Sequence, residues 1–415
     1  MDYSSEKALE LHRLKRGKVG IYSKVSIRSE EELRLAYVPG SSVPALEISR
    51  DRDLINEYTG RGNRLAIITN GTAVLGLGDV GPYAAMPVME GKCALLKNLA
   101  DVDAFPICIE SRDPDDFVAF ARLLGPTFGA INVEDVRSPD SFYVTRKLQE
   151  VMSVPVLCDD QHGSAAVVLA ALSNAFKVVE KDAKKSKICI VGAGVAGVAT
   201  AELLLKVGVK NLILVDKKGI LDPEDPDLND FQRDLARRTN PEGLRGGLSE
   251  AVRGADALVG LSVGGVIKSE HVKAMGPRPI VLALAIPTPE ISAAEAKAAG
   301  AYVVATGVGD CPNHISNVLA FPGMVRGLLD VEATSFHADL LVKAAETIAE
   351  AVERRKLGPN HIVPDPLEEE VAPRVAEAVA QAAVKLHIAK KEPKPGKVYK
   401  STIGRIYGEH NPRAF

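Results

Sequence analysis

The sequence predicts an α/β protein of two domains, a Rossmann-like doubly wound parallel sheet joined to a second α/β domain. Three observations carry that expectation. Short apolar runs alternate with helix-like stretches from Leu65 onward, one of those runs enters a glycine-rich turn, and acidic pairs end two others. A chain of 415 residues exceeds one ordinary core and buries enough apolar surface in two to need no disulfide support.

In chain order the runs LAIITN, AFPICI, AINVED, VPVLCDD, KICIVGAG, NLILVD, ALVGLS and PIVLALA each read as a strand buried on both faces, the pattern of parallel sheets covered by helices. Beyond Asp330 come two long helical segments, Ala333–Lys356 and Ala372–Lys391, rich in Ala, Glu, Val and Lys and separated by Pro359, Pro364 and Pro366. Residues 392–415 carry the Pro, Gly and Lys of an exposed tail, with tyrosines and Ile403 available to pack on a neighbouring subunit.

Composition narrows the function classes. With 54 acidic residues against 51 Lys and Arg, net charge −3, the chain lacks the basic field of a nucleic-acid binder. No apolar run approaches bilayer length and the amino end mixes charges throughout, so no membrane association and no secretory signal is expected, and the cytoplasm is. The cysteines, Cys93, Cys108, Cys158, Cys189 and Cys311, are odd in number and dispersed, as for buried thiols in a reducing compartment, and none forms C-x-x-C. A small-molecule pocket is the expected working part.

The strongest local signal is KICIVGAGVAGVATAELLLKVGVKNLILVDKKG. A strand leads into Gly192-x-Gly194-x-x-Gly197, with Val195 and Ala196 at the start of a helix, and a second strand ends at Asp216. Gly192 permits the tight turn, Gly194 lets backbone N–H groups approach a pyrophosphate, Gly197 lets helix and strand pack, and the helix amino terminus faces the anion. Asp216 stands where a carboxylate bonds the ribose hydroxyls, which favours NAD. Lys217 and Lys218 follow at once and suit a 2′-phosphate, so NAD and NADP both stay open. A second match, Gly76-x-Gly78-x-x-Gly81, is rejected as a phosphate loop. Asp79 places a negative charge inside it and no acid-ended strand follows at the usual distance, so it reads as a tight turn shaping a substrate pocket.

Glu134 and Asp135 end one predicted strand, Asp159 and Asp160 another. Carboxylates at the carboxyl ends of parallel strands face the crevice where such sheets bind ligands. Hard oxygen donors without a Cys or His cluster select Mg²⁺ or Mn²⁺. The same spacing equally suits solvated loop acids or a cap on the helix that begins near Gly163, with His162 a structural hydrogen-bonding residue and Lys97 a solvated one.

The strings AYVPGSSVPALEI, NGTAVLGLGDVGP, MPVMEGKCALLK, DVDAFPICIES, PTFGAINVEDV, VPVLCDDQHGSAAVVLAAL, VGAGVAGVA, ALAIPTPEI and NVLAFPGMVRGLLD, in that order, resemble the short-subunit malic enzymes of bacteria and archaea. The resemblance covers Tyr37 to Asp330, and DDQHG and PVMEGK are its most specific parts. It implies oxidative decarboxylation of L-malate to pyruvate and carbon dioxide with NAD or NADP and Mg²⁺ or Mn²⁺. It further implies Tyr37 as general acid, Lys92 as general base with Asp159 beside it, and Glu134, Asp135 and Asp160 as metal ligands. Residues 1–158 with 318–391 become the substrate and metal domain, 159–317 the nucleotide domain and 392–415 the tail. A homodimer or higher homo-oligomer is implied, with Tyr37 and Lys92 placed to serve a neighbouring subunit's site.

The chain departs from that pattern at Ile286-Pro287-Thr288 in place of Asn-Pro-Thr, at Val308 and Gly309 in place of Arg-Ser, and at Ser316 in place of the first residue of Asn-Asn-Val. Asn317 remains as a candidate for the malate carboxylate. Each hydrogen bond lost to a buried carboxylate costs about 1.5–3 kcal/mol, which bears on substrate affinity more than on fold. A related 2-hydroxy acid dehydrogenase with another substrate and a non-catalytic nucleotide-binding paralogue are the rival readings. The joint presence of an acid, a base and a metal site speaks against the second.

Overall fold

The computed structural model describes residues 2–408, with side chains from Ser5 onward. Strands β1 (Arg64–Thr69), β2 (Asp103–Cys108), β3 (Ala130–Val133) and β4 (Val156–Cys158) form a parallel sheet in the order β2-β1-β3-β4. The order reverses beside β1, so the crevice above the carboxyl ends of β1 and β3 lies at a topological switch point. Strands β5 (Lys187–Val191), β6 (Asn211–Asp216), β7 (Gly219–Ile220), β8 (Ala257–Gly260), β9 (Ile280–Ala283) and β10 (Val303–Thr306) form the second sheet, ordered β10-β9-β8-β5-β6-β7. All its pairings are parallel except β6 with β7, and its switch point is at β5.

The eight expected strands are present and the α/β class holds. The structure adds β7 and β10. VVAT is four apolar-facing residues, too short for periodicity to separate from a loop, and only pairing with β9 makes it a strand.

Helix Asp159–Val178 links the two sheets. It begins directly after β4, and its run Ala165–Leu172 with Ala175 and Phe176 is buried against Leu65, Ile67 and Leu157 of the first sheet and Ile188 and Ile190 of the second. One core therefore ties both halves together. Separate clusters back the far face of each sheet.

The carboxyl-terminal helices are Phe321–Asp330, Asp339–Ala351, Val371–Lys385 and Lys397–Tyr407. The second and third are shorter than the sequence implied, and His387 in the left-handed region terminates the third just after Lys385. Phe321–Asp330 and Val371–Lys385 approach closely at two glycines. A Cβ on Gly323 would lie 2.6 Å from Ala372 O, and one on Gly327 2.4 Å from Ala376 O.

The exposed-tail reading requires correction. Lys397–Tyr407 is a helix with Val398, Thr402 and Ile406 buried, and Arg405 reaches Asp330 at 2.8 Å. Asp330 also binds the buried Arg326 guanidinium, at 2.6 Å. Residues 409–415 lie outside the described residues. Lys97 is likewise not solvated, since Asp101 and Asp103 hold its ammonium at 2.6 and 2.8 Å.

At the other end, no residue from Ser5 to Arg64 is buried, and Leu35, Val38 and Val43 lie open among them. No described helix is long and apolar enough to cross a membrane.

Candidate active site

Parallel strands deliver their carboxyl-terminal residues to one edge, and that edge of the first sheet is acidic. Glu134 and Asp135 follow β3, while Asp159 and Asp160 open the helix after β4. Glu134, Asp135 and Asp160 each offer an oxygen within 4.8 Å of the others. Asp160 Oδ2 accepts the Asp135 backbone N–H at 2.8 Å, which locks the two together.

Lys92 enters from helix Gly81–Ala100. Its Nζ lies 2.9 Å from Glu134 Oε1, donates to Asp159 Oδ2, and sits 5.6 Å from the centre of the Phe321 ring. Asn317 Nδ2 donates to the same Asp159 oxygen at 2.6 Å. Asp159 Oδ1 leaves no room for a side chain on Gly163, whose Cβ would stand 1.8 Å away. The glycine-rich turn read as pocket-shaping bears on this cluster: Gly76, Gly78 and Gly81 adopt φ of 74°, 75° and 77°, and Leu75, Gly76 and Gly78 line the cleft with Asp135. Its Asp79 is paired with Arg112 at 2.9 Å.

Four carboxylates face one ammonium here. Burial alone would lower the Lys92 pKa, but Asp159 and Glu134 outweigh it and hold the ammonium well above its ordinary range. Burial pushes Asp135 up to about 7, with the Glu134 charge adding to it. Burial likewise raises Asp159 to about 7 against the pull of Lys92, and drives Asp160 upward. Asp135 Oδ2 and Asp159 Oδ1 are buried without a hydrogen-bond partner. An excess of buried negative charge with orphaned oxygens fits a divalent cation bound by Glu134, Asp135 and Asp160, and all-oxygen donors suit Mg²⁺ or Mn²⁺.

A pH dependence follows. A carboxyl whose folded pKa is raised holds a proton up to that value, so metal must displace it. Mn²⁺ affinity is expected to fall about tenfold per pH unit below about 7 for each proton displaced. In the metal-free protein the same groups favour the folded state at low pH. That contribution is lost as pH rises from the ordinary carboxylate range to about 7. Calorimetric Mn²⁺ titrations at pH 6, 7 and 8 check the first part, and an affinity independent of pH would refute it.

Sequence reasoning missed two residues. Asn132, buried in β3, donates to Glu134 Oε2 at 2.6 Å and accepts the Asp159 backbone N–H at 3.1 Å. One amide thus aims the Glu134 carboxylate and anchors the start of the helix bearing Asp159 and Asp160. Its signal was present in AINVED, where Asn132 and Glu134 share a face at strand period two. Asn132→Ala is expected to weaken Mn²⁺ binding about 10–100-fold, measured by calorimetry, with NADH binding unchanged. Glu290 is the other. Fully buried, it accepts Ser262 N–H at 2.8 Å and Ala285 N–H at 3.0 Å, tying together the loops after β8 and β9 that line the cleft. Nothing in its surrounding sequence marks it.

His162 is structural, as expected. Cys158 N–H donates to its Nδ1 at 3.0 Å, its ring stacks on Phe336 and burial lowers its pKa to about 3, leaving it neutral.

Across a cleft of about 920 Å³ stands the glycine turn after β5, which contributes Val195 and Ala196 to the lining. Gly192 adopts φ of 110°, and a Cβ there would lie 2.2 Å from Leu261 O. A Cβ on Gly197 would lie 1.8 Å from Gly192 O, whereas Gly194 faces open space where a pyrophosphate has room to approach. Helix Val195–Lys206 starts there with its amides free for an anion. Asp216 ends β6, and Lys217 is exposed. Ile286 and Ser316 line the cleft with Asn317. Tyr37 stands apart: it caps the short helix Glu30–Ala36, is 66 % exposed, and among the described residues its hydroxyl makes no bond to the cluster. Lys92, which the resemblance placed to serve a neighbouring subunit, is joined to its own chain's carboxylates.

Residues 15–149 match the family model of the malic enzyme N-terminal domain and residues 161–384 that of the malic enzyme NAD-binding domain. The chain belongs to the malic enzyme family. It is 42% identical over 398 residues to a bifunctional malic/malolactic enzyme of Bacillus subtilis, covering 96% of this chain and 97% of that one. An NAD-dependent malic enzyme of Geobacillus stearothermophilus is 41% identical over 378 residues, 91% of this chain and 78% of that protein. A malic enzyme crystal structure from Pyrococcus horikoshii superposes with a TM-score of 0.92 at 42% identity, over 97% of this chain and 95% of that one. Family membership fits both halves of the cleft, a carboxylate cluster on one wall and a dinucleotide turn on the other.

Proposed function

We propose that this chain oxidatively decarboxylates L-malate to pyruvate and carbon dioxide, reducing NAD or NADP, with Mg²⁺ or Mn²⁺ in the cleft. The observation that carries the reading is the half-buried Lys92 bonded to Glu134 and Asp159 beside the Glu134–Asp135–Asp160 cluster, whose Asp135 and Asp160 line the cleft with Val195 and Ala196 of the glycine turn. Held by Glu134, Asp135 and Asp160, the ion would supply positive charge that favours the neutral amine of Lys92 and stabilises the charge left as carbon dioxide departs, and the nicotinamide would supply the acceptor for the C2 hydride. Lys92 Nζ accepts the proton of the C2 hydroxyl. Asp159, itself fixed by Asn317, orients that amine. The Tyr37 phenol protonates C3 of the enol product. The division into residues 1–158 with 318–391 and residues 159–317 makes the cleft an interdomain one, as small-molecule sites commonly are. The five free cysteines suit a cytoplasmic setting.

Because Tyr37 is exposed in an arm without buried residues while Lys92 sits in its own chain's cluster, we place Tyr37 in a second subunit's site within a homodimer. Mixed dimers of Lys92→Ala and Tyr37→Phe chains then contain one intact site. Refolding equal amounts of the two inactive variants together is expected to restore about a quarter of the wild-type activity, since about half of the dimers are mixed and each mixed dimer has one intact site of two. No restoration would place both residues in one chain's site.

The deciding assay incubates protein, Mn²⁺ and L-malate with either dinucleotide. Reduced nicotinamide, pyruvate and carbon dioxide in equal amounts are expected. Lactate without net nicotinamide reduction would point to the malolactic reaction that the Bacillus subtilis relative's name includes. Turnover of another 2-hydroxy acid with none of malate would favour the dehydrogenase reading, which Ile286 in the cleft wall permits.

A further inference from the structure

Asp216, at the end of β6, belongs to a charged constellation whose other members the proposed reaction does not use. β6 turns into β7 through Lys217 and Lys218, and Asp216 Oδ1 accepts the Lys218 backbone N–H at 2.7 Å. The two lysines that made NADP an open choice are not equivalent. Asp225 holds the Lys218 ammonium with both oxygens at 3.0 Å, and Asp227 holds it at 2.5 Å. Lys217 is exposed.

The loop carrying these acids is anchored. Arg233 donates to the carbonyls of Pro223, Asp225 and Leu228 at 2.8, 3.0 and 2.9 Å. On the same helix, Gln232 donates to Ala193 O in the glycine turn at 2.8 Å and completes a capping box with Asn229. The acids that bind Lys218 are therefore held by the helix that also braces the glycine turn.

A 2′-phosphate brings about −2 charge at neutral pH, and it gains most from cations with free hydrogen-bond donors. Here it would meet Asp216, whose carboxylate suits a ribose diol, and a lysine already shared between two carboxylates. We infer that this chain selects NAD over NADP, and that Asp225 and Asp227 set the selection by sequestering Lys218, in concert with Asp216. The inference rests on reading Gly192–Gly197 as the dinucleotide turn.

The test is direct binding of NADH and NADPH, followed by nicotinamide fluorescence without metal or malate, for the wild type and for Asp225→Asn/Asp227→Asn. The wild type is expected to bind NADH at least about tenfold tighter than NADPH, and the double variant to gain about tenfold in NADPH affinity with NADH changed less than about twofold. Raising salt should erode the NADPH gain. NADPH binding as tight as NADH in the wild type, or an unmoved ratio in the variant, would overturn the selection mechanism while leaving the dinucleotide site intact. Binding of neither nucleotide would overturn the site reading and the selection with it.

Discussion

Replacing Lys92 with alanine is expected to lower kcat about 10³-fold, the scale of a lost general base, while NADH binds as before. The separation of effects follows from placement. Lys92 stands on a helix of the first half, in contact with Glu134 and Asp159, whereas the glycine turn is built by β5, β6 and β8. The variant also leaves the buried Glu134 and Asp159 carboxylates without their ammonium, and breaking a buried pair costs about 3–5 kcal/mol. Its thermal stability should therefore depend more steeply on added Mn²⁺ than that of the wild type. A variant with normal turnover would remove Lys92 from the mechanism, and an unchanged Mn²⁺ dependence of melting would deny the shared charge balance.

Loss of the ion is the second large effect. Replacing Asp135 with alanine is expected to reduce turnover about 10³-fold or more at saturating malate, since the proposed ion would supply several kcal/mol of charge stabilisation. Chelation of the wild type should match it and reverse on adding Mn²⁺. Asp135 is the informative choice because its Oδ2 is buried without a partner, so the change removes an unpaired acceptor rather than a structural bond. Metal-free Asp135→Ala protein should be no less stable than metal-free wild type, because burial and Glu134 already disfavour its charge. Thermal melts in chelator check this. A large loss of stability there would mean that the residue serves the fold instead of the ion.

The site was legible where backbone geometry alone fixes it. Gly192, Gly194 and Gly197 follow from the demands of one turn, and acids after β3 and β4 must meet because parallel neighbours end side by side. What distant segments contribute was not legible. Asn317 reaches Asp159 across 158 positions of sequence, and Glu290 ties two loops whose proximity depends on β8 lying beside β9. The tail was misread because its Pro, Gly and Lys masked Val398, Thr402 and Ile406, spaced four apart on one helical face. Lys97 was read as solvated because its partners, Asp101 and Asp103, lie beyond a helix end that only the left-handed Asp101 turns back.

Anomalous diffraction at the manganese edge, from crystals grown with Mn²⁺, NADH and oxalate, tests the central claim most directly. The expected result is one manganese peak bonded to Glu134, Asp135 and Asp160, with Lys92 Nζ within hydrogen-bond reach of the oxalate and the nicotinamide ring on the opposite side of it. A peak elsewhere, or oxalate and nicotinamide bound apart from these carboxylates, would contradict it.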